Sequence, residues 1–134
     1  MPTILVALVL LAQSPAIVDR TLAIVGGRAI TLSDARTALA LGLIDGEDVD
    51  AGVVRRLVDR DLMLREADRY EPPEPTAERV EARLEEIRAR AGGDAALRQV
   101  LEAGGFTGAR LEAWVRDDLR VAAYVRQRFA ADDR

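Results

Sequence analysis

Apolar side chains recur along this chain in more than one rhythm, and each rhythm predicts a different element. From Thr21 to Thr31 the sequence TLAIVGGRAIT sets two short apolar runs, Leu22 to Val25 and Ala29 to Ile30, on either side of Gly26-Gly27. Paired glycines accept the positive φ angles of a type I′ turn, so the segment reads as a two-residue β-hairpin. A flexible glycine linker is the competing reading, and it stays open at this point. A lone hairpin is marginal in water, so it must pack on helices or pair with a further strand.

Beyond Thr31 the rhythm turns helical. Thr31-Leu32-Ser33-Asp34 has the form of a capping box and predicts a first helix over residues 32–41. Residues 42–50 read as a loop in which Leu43 and Ile44 stand out. The second helix, over residues 50–70, carries Val53, Val54, Leu57, Val58, Leu62, Met63, Leu64, Ala67 and Tyr70. At about 100° per residue these cover most of the circumference, which predicts a central helix with neighbours on several sides. Its charges are placed to pair locally, Arg55 with Asp59 and Asp61 with Arg65. Pro72-Pro73 and Pro75 stop it, because proline has no N–H to continue the ladder.

The third helix, residues 77–91, has a narrow stripe of Val80, Leu84, Ile87 and Ala91 among Glu and Arg, so one face covers a core and the other meets water. Thr76 is its N-cap and Gly92-Gly93 its left-handed exit. Asp94 is expected to cap a short fourth helix bearing Leu97, Val100 and Leu101, ended by Gly104-Gly105. Thr107 caps the fifth, residues 108–130, with the stripe Leu111, Trp114, Val115, Leu119, Ala122, Val125 and Phe129. The fold class is therefore mainly all-α: about five helices around a long central one, with a short N-terminal β-hairpin.

The first 16 residues, MPTILVALVLLAQSPA, follow none of these patterns. Their apolar run is about nine residues long, short of the roughly 20 a membrane-spanning helix needs but within the range of a signal-peptide core. Ser14 and Ala16 supply small side chains before a cleavage point ahead of Ile17. No Arg or Lys precedes the run, which departs from the usual signal; a buried first helix or an uncleaved membrane tether are the alternatives. The expected organisation is a signal over residues 1–16, a helical domain over 17–131 and a frayed tail over 132–134. The expected location is outside the cytosol, with no stable membrane span.

Composition then removes most chemistry. The chain has no cysteine, no histidine and no lysine. Without them a thiol nucleophile, the commonest general base, the commonest zinc ligand, a Schiff base and a P-loop cation are all unavailable. No metal and no small-molecule cofactor are expected. All 19 basic residues are arginine, against 23 Asp and Glu, and the two signs interleave along the helices. A nucleic-acid binder normally gathers a basic excess on one face, so nucleic acid is not an expected partner. The carboxylate pairs Glu85-Glu86, Asp117-Asp118 and Asp59/Asp61 invite an acid/base reading. Sequence neighbours diverge by about 100° on a helix and each pair has an arginine nearby, which favours solvated faces. No catalytic residue is assigned, and no enzyme is expected.

Leu41, Leu43 and Ile44, apolar side chains in a polar stretch, either fold back onto the core or form an exposed patch of the kind that marks an interaction surface. Phe106 either staples against Arg110 or Leu111 at the start of the last helix or contacts a ligand. These four are the candidate peptide-binding residues. Trp114 lies on the core stripe and reads as packing.

Three blocks carry a resemblance. Residues 23–34, AIVGGRAITLSD, are similar to the strand–turn–IT-x-SD opening of the N-terminal domain of SurA-type periplasmic chaperones. Residues 54–67, VRRLVDRDLMLREA, are similar to that family's long helix, and the segment from Phe106-Thr107 to Arg120 to its closing helix. The resemblance covers about Val18 to Phe129. It implies a chaperone-like module that binds unfolded or extended polypeptides, in outer-membrane protein biogenesis. Gly26 stands where the family's turn usually has Asn, a conformationally harmless change. Full-length members continue into parvulin isomerase domains and a C-terminal helix, so the likeness extends only to the chaperone module. With no parvulin domain and no histidine, a peptidyl-prolyl isomerase-associated enzyme is only a remote alternative. The nearer alternative is a structural or assembly domain completed by a helix or strand of a second copy or of a partner protein.

Overall fold

The computed structural model describes residues 19–130; the signal-like residues 1–16 and the tail 132–134 lie outside the described residues. The elements follow as β1 (Thr21–Val25), β2 (Arg28–Thr31), α1 (Leu32–Ala40), α2 (Ala51–Tyr70), α3 (Ala77–Ala91), α4 (Asp94–Ala103) and α5 (Gly108–Phe129). The molecule is thus mainly helical, with a short two-stranded antiparallel hairpin.

The strands pair with Ala23 opposite Ile30, Ile24 opposite Ala29 and Val25 opposite Arg28. Gly26 at φ 52 and Gly27 at φ 84 are both left-handed, the signature of a type I′ turn, so the linker reading is replaced by a true hairpin. Arg65 of α2 grips this turn, Nη2 donating to the carbonyls of Val25 at 3.2 Å and Gly26 at 2.6 Å. The guanidinium fills the space that a Cβ on residue 26 would occupy. Arg65 is therefore engaged across elements rather than with Asp61 in its own helix.

Helix starts follow the side-chain chemistry of the sequence. Thr31 Oγ1 accepts from the Asp34 amide at 3.2 Å and Asp34 Oδ2 accepts from the Thr31 amide at 3.3 Å, completing the capping box. Asp50, Thr76 and Thr107 accept in the same way from Val53, Arg79 and Arg110. α4 differs from expectation. Its N-cap is Gly93, and Asp94 is the first helical residue. The Asp94 carboxylate lies instead 2.7 Å from Arg88 Nε, across the α3–α4 turn.

Three helix ends share one device. After α1, Gly42 donates to Leu39 and Leu43 to Ala38; after α4, Gly105 donates to Glu102 and Phe106 to Leu101; after α3, Gly92 donates to Ala89 and Gly93 to Arg88. These are Schellman motifs, with a left-handed glycine reversing the chain; after α1 and α4 the next side chain, Leu43 or Phe106, folds back on the helix just ended.

Two apolar clusters result. Val25, Ile30, Ala35, Ala38, Val53 and Leu57 join the hairpin to α1 and α2. Leu41, Val80, Ile87, Phe106, Leu111 and Val115 join α3, α4 and the first half of α5. Leu43 and Trp114 touch both clusters and weld them together.

α2 is less enclosed than its pattern predicts. Its buried side chains, Val53, Leu57, Asp61, Leu64 and Ala67, form one stripe, while Leu62 and Tyr70 are 52% and 51% exposed. α5 also departs from its stripe in its second half. There Tyr124 is buried, whereas Ala122 and Phe129 face outward. There the helix turns the Tyr124 face toward α2, where that ring stacks on Tyr70.

Candidate functional site

Charged side chains converge where β2, α1, α2 and α5 meet. Arg60 of α2 lies over the Trp114 ring, its Cζ 3.7 Å from the ring centre. Its Nε donates to Asp118 Oδ1 at 2.7 Å and its Nη2 to the Trp114 carbonyl at 3.2 Å, while Nη1 lies 3.6 Å from Asp61. On the same flank Arg110 Nη2 sits 2.7 Å from Asp34 Oδ1, and its Cζ lies 4.3 Å above the Phe106 ring. Asp34 thus serves the capping box with one oxygen and ties the start of α1 to the start of α5 with the other.

Asp61 is 9% exposed, and Asp117 and Asp118 are half-buried, so these three are not the solvated carboxylates their spacing suggests. Burial pushes the carboxyls of Asp117 and Asp118 above the usual range, and the nearby Arg60 only partly offsets it. Glu85 and Glu86 fit the expectation, being exposed and paired along α3 with Arg88 and Arg83.

A carboxyl with a raised pKa is a standard pointer to acid/base chemistry when it lines a hollow, and neither Asp117 nor Asp118 lines the one at this junction. The hollow here, between Arg28, Asp34, Asp61, Arg110 and Trp114, has a volume of only about 40 Å³. That admits water rather than a substrate. Asp34, Asp61 and Asp118 are already engaged by arginine, and the arrangement acts as a clamp between helices. Among the described residues, no group of three or more His, Cys, Asp or Glu is placed to hold a metal ion.

Of the candidate peptide-binding residues, Leu41 is 1% exposed and Phe106 4% exposed. Both are core side chains, a correction to any exposed patch built on them. Leu43 and Ile44 are half-buried against the core. The Schellman turns are the reason: Leu43 and Phe106 occupy the position after the left-handed glycine, where an apolar side chain packs back on its helix. Phe106 lies under Arg110, one of its anticipated staple partners, and shares an apolar cluster with the other, Leu111.

Exposed apolar surface lies elsewhere. Ile24 is 70% exposed on β1, and Leu62 sits one helical turn before Arg65, the residue that holds the end of β1. Tyr70 and Phe129 are exposed at the far end of α2 and α5. Ile24 was legible as the odd member of a strand that is apolar on both faces; Phe129 was hidden because it continued a core stripe. Neither strand pairs with a third among the described residues. Nor, among those residues, is any helix long and apolar enough to cross a membrane.

Comparison of the chain with protein-family models, curated proteins and solved structures finds no match.

Proposed function

We propose that this domain is a non-catalytic, exported binding module that holds unfolded or extended polypeptides, working as a periplasmic chaperone of the SurA N-terminal type. The observation that carries it is the hairpin flank: an unextended two-stranded sheet with Ile24 open to solvent on β1 and Leu62 open on the adjoining helix. Unpaired edges and large exposed apolar side chains are liabilities for a protein with no partner. An extended client strand that adds to the sheet satisfies both, the backbone supplying hydrogen bonds and the apolar side chains supplying contact. The order of elements supports the resemblance, since a capped hairpin, a short helix, a long helix, a proline break and three further helices follow as expected. The signal-like first 16 residues support export.

The test is suppression of aggregation of an unfolded outer-membrane protein at near-stoichiometric ratio. Wild type suppresses it, and Ile24→Lys or Leu62→Asp weakens suppression without loss of the helical spectrum. Absence of both suppression and peptide binding at roughly tens of micromolar sinks the proposal. The same open edge supports one second reading, a structural domain completed by a strand or helix of a partner. That reading expects saturable binding to one chain and indifference to unrelated unfolded clients.

A further inference from the structure

α4 covers a core to which it contributes no fully buried side chain. Among the described residues it is the one helix with none, and the one whose first turn has no side-chain cap. Its Leu97, Val100 and Leu101 lie half-buried against the second apolar cluster, where Leu41, Ile87 and Leu111 are 1%, 1% and 2% exposed. The floor is enclosed and the helix above it is not, which is the arrangement of a cover.

The cover is joined to the rest by two glycine junctions. Gly93, the N-cap, has φ 107 and Gly105 has φ 62, and a Cβ added at either would meet nothing within 4 Å. Short terminal segments of this kind are where hinge motions put their φ/ψ change. The polar ties are few. Asp94, bound to Arg88 Nε at 2.7 Å, has a side chain 77% exposed, so the pair holds weakly. At the exit, Gly105 and Phe106 donate to Glu102 and Leu101, and Gly104 backs closely onto Thr37. The seam with α1 is not closed: a hollow of about 260 Å³ runs between Arg36, Ala40, Val100 and Ala103. Lifting α4 gives up the contacts of three half-buried side chains, whereas unfolding the remainder gives up both clusters. The first event is the cheaper one.

We infer that α4 is a hinged lid: it opens as one unit while the hairpin, α2, α3 and α5 stay folded, and the open state adds the cluster beneath it to the surface that holds unfolded polypeptide. The opening stands on the geometry alone; its role in holding rests on the function proposed above.

The test is native-state hydrogen exchange of the full chain. The α4 amides exchange together, faster than those of α2 and of the first half of α5. Ile30→Val, a mild change in the first cluster, speeds the α2 amides about two- to tenfold and leaves the α4 amides unchanged. An α4 that exchanges only in step with α2, in wild type and in Ile30→Val, overturns the inference. A second arm uses the absence of cysteine from the chain. Ala40→Cys with Ala103→Cys places two thiols at exposed positions lining the α1–α4 hollow, where a flexible bis-maleimide bridges them. Bridging slows α4 exchange to the rate of α2 and lowers suppression of outer-membrane protein aggregation relative to the unbridged double variant. Suppression unchanged by the bridge overturns the role in holding. A wild type that suppresses nothing sinks the proposed function instead, and the exchange arm still decides whether the lid opens.

Discussion

The two ends of α5 are held to the molecule by different forces. At its start, Leu111 and Val115 are 2% and 1% exposed within an apolar cluster that reaches α3 and α4. Toward its finish, polar ties take over around Arg120, with Asp68 of α2, Glu74 of the proline segment and Asp117 of its own helix around its guanidinium. Beyond Arg120, Tyr124 is the one buried side chain of the helix. The first kind of contact removes apolar area from water and is stabilising in proportion to that area. The second kind gains less, because exposed ion pairs are screened and hold flexible side chains in place. The helix is thus anchored firmly at one end and lightly at the other.

Substitution at the firm end gives the largest expected effect. Leu41 is among the most deeply buried large side chains, and Leu41→Ala is expected to cost about 2–5 kcal/mol in urea unfolding, from lost transfer energy plus the cavity left behind. Phe129→Ala, at a side chain 60% exposed, should stay within about 0.5 kcal/mol of wild type. Similar losses for the two would erase the distinction between the ends.

Two arginines sharpen the contrast further. Arg60→Ala removes the cation from Asp118 and Asp61 and uncovers the Trp114 ring, leaving partly buried carboxylates without a partner. A cost of about 1–3 kcal/mol is expected, because an orphaned charge is worse than an absent pair. Arg120→Ala should cost about 1 kcal/mol or less, since its partners Asp68 and Glu74 are 54% and 65% exposed. Thermal unfolding of both variants side by side decides it, and an Arg120 effect equal to or above that of Arg60 contradicts the assignment.

What could be read from the chain beforehand follows the same division. The hairpin, the caps at Thr31, Thr76 and Thr107 and the stripe of α3 depend on neighbours within a few residues, and local chemistry states them openly. The destinations of Arg60, Arg65 and Arg120 depend on which helices meet. Spacing along α2 suggested Asp61 for Arg65, yet the carbonyls of Val25 and Gly26 took it. Leu43 and Phe106 are an intermediate case. Each follows a left-handed glycine at a helix end, a pattern whose consequence is burial, and weighing the motif as a unit would have placed both inside.

A cap isolates purely local stabilisation at the firm end. Thr107 Oγ1 accepts from the Arg110 amide at 3.1 Å, and Thr107→Ala is expected to cost about 1 kcal/mol, with Thr107→Ser restoring most of it. Failure of serine to rescue would show that the threonine methyl, not the hydroxyl, matters there.

The smallest effect carries the most information about the clamp. Burial raises the Asp118 carboxyl above the usual range although Arg60 stands 2.7 Å away, so desolvation outweighs attraction at this site. A group whose pKa is higher folded than unfolded binds its proton more tightly in the folded chain. Its unfavourable contribution is therefore fully present above the folded pKa and is relieved as pH falls through it. Asp118→Asn cannot titrate, while its amide oxygen still accepts from Arg60. Near neutral pH the variant should lie within about 1 kcal/mol of wild type. Asp19, lowered by its hydrogen bond with Thr31, and Glu78, lowered by its own amide and by Thr76, lose stability in acid, but they do so equally in both proteins. The difference between the two unfolding curves then reports Asp118 together with its effect on the neighbouring Asp117, whose carboxyl is likewise raised by burial. Between about pH 7 and pH 4, wild type should gain on the variant. A wild type that instead loses ground in acid would mean that the pull of Arg60 exceeds the cost of burial, and that the clamp stabilises through its charge rather than through its geometry.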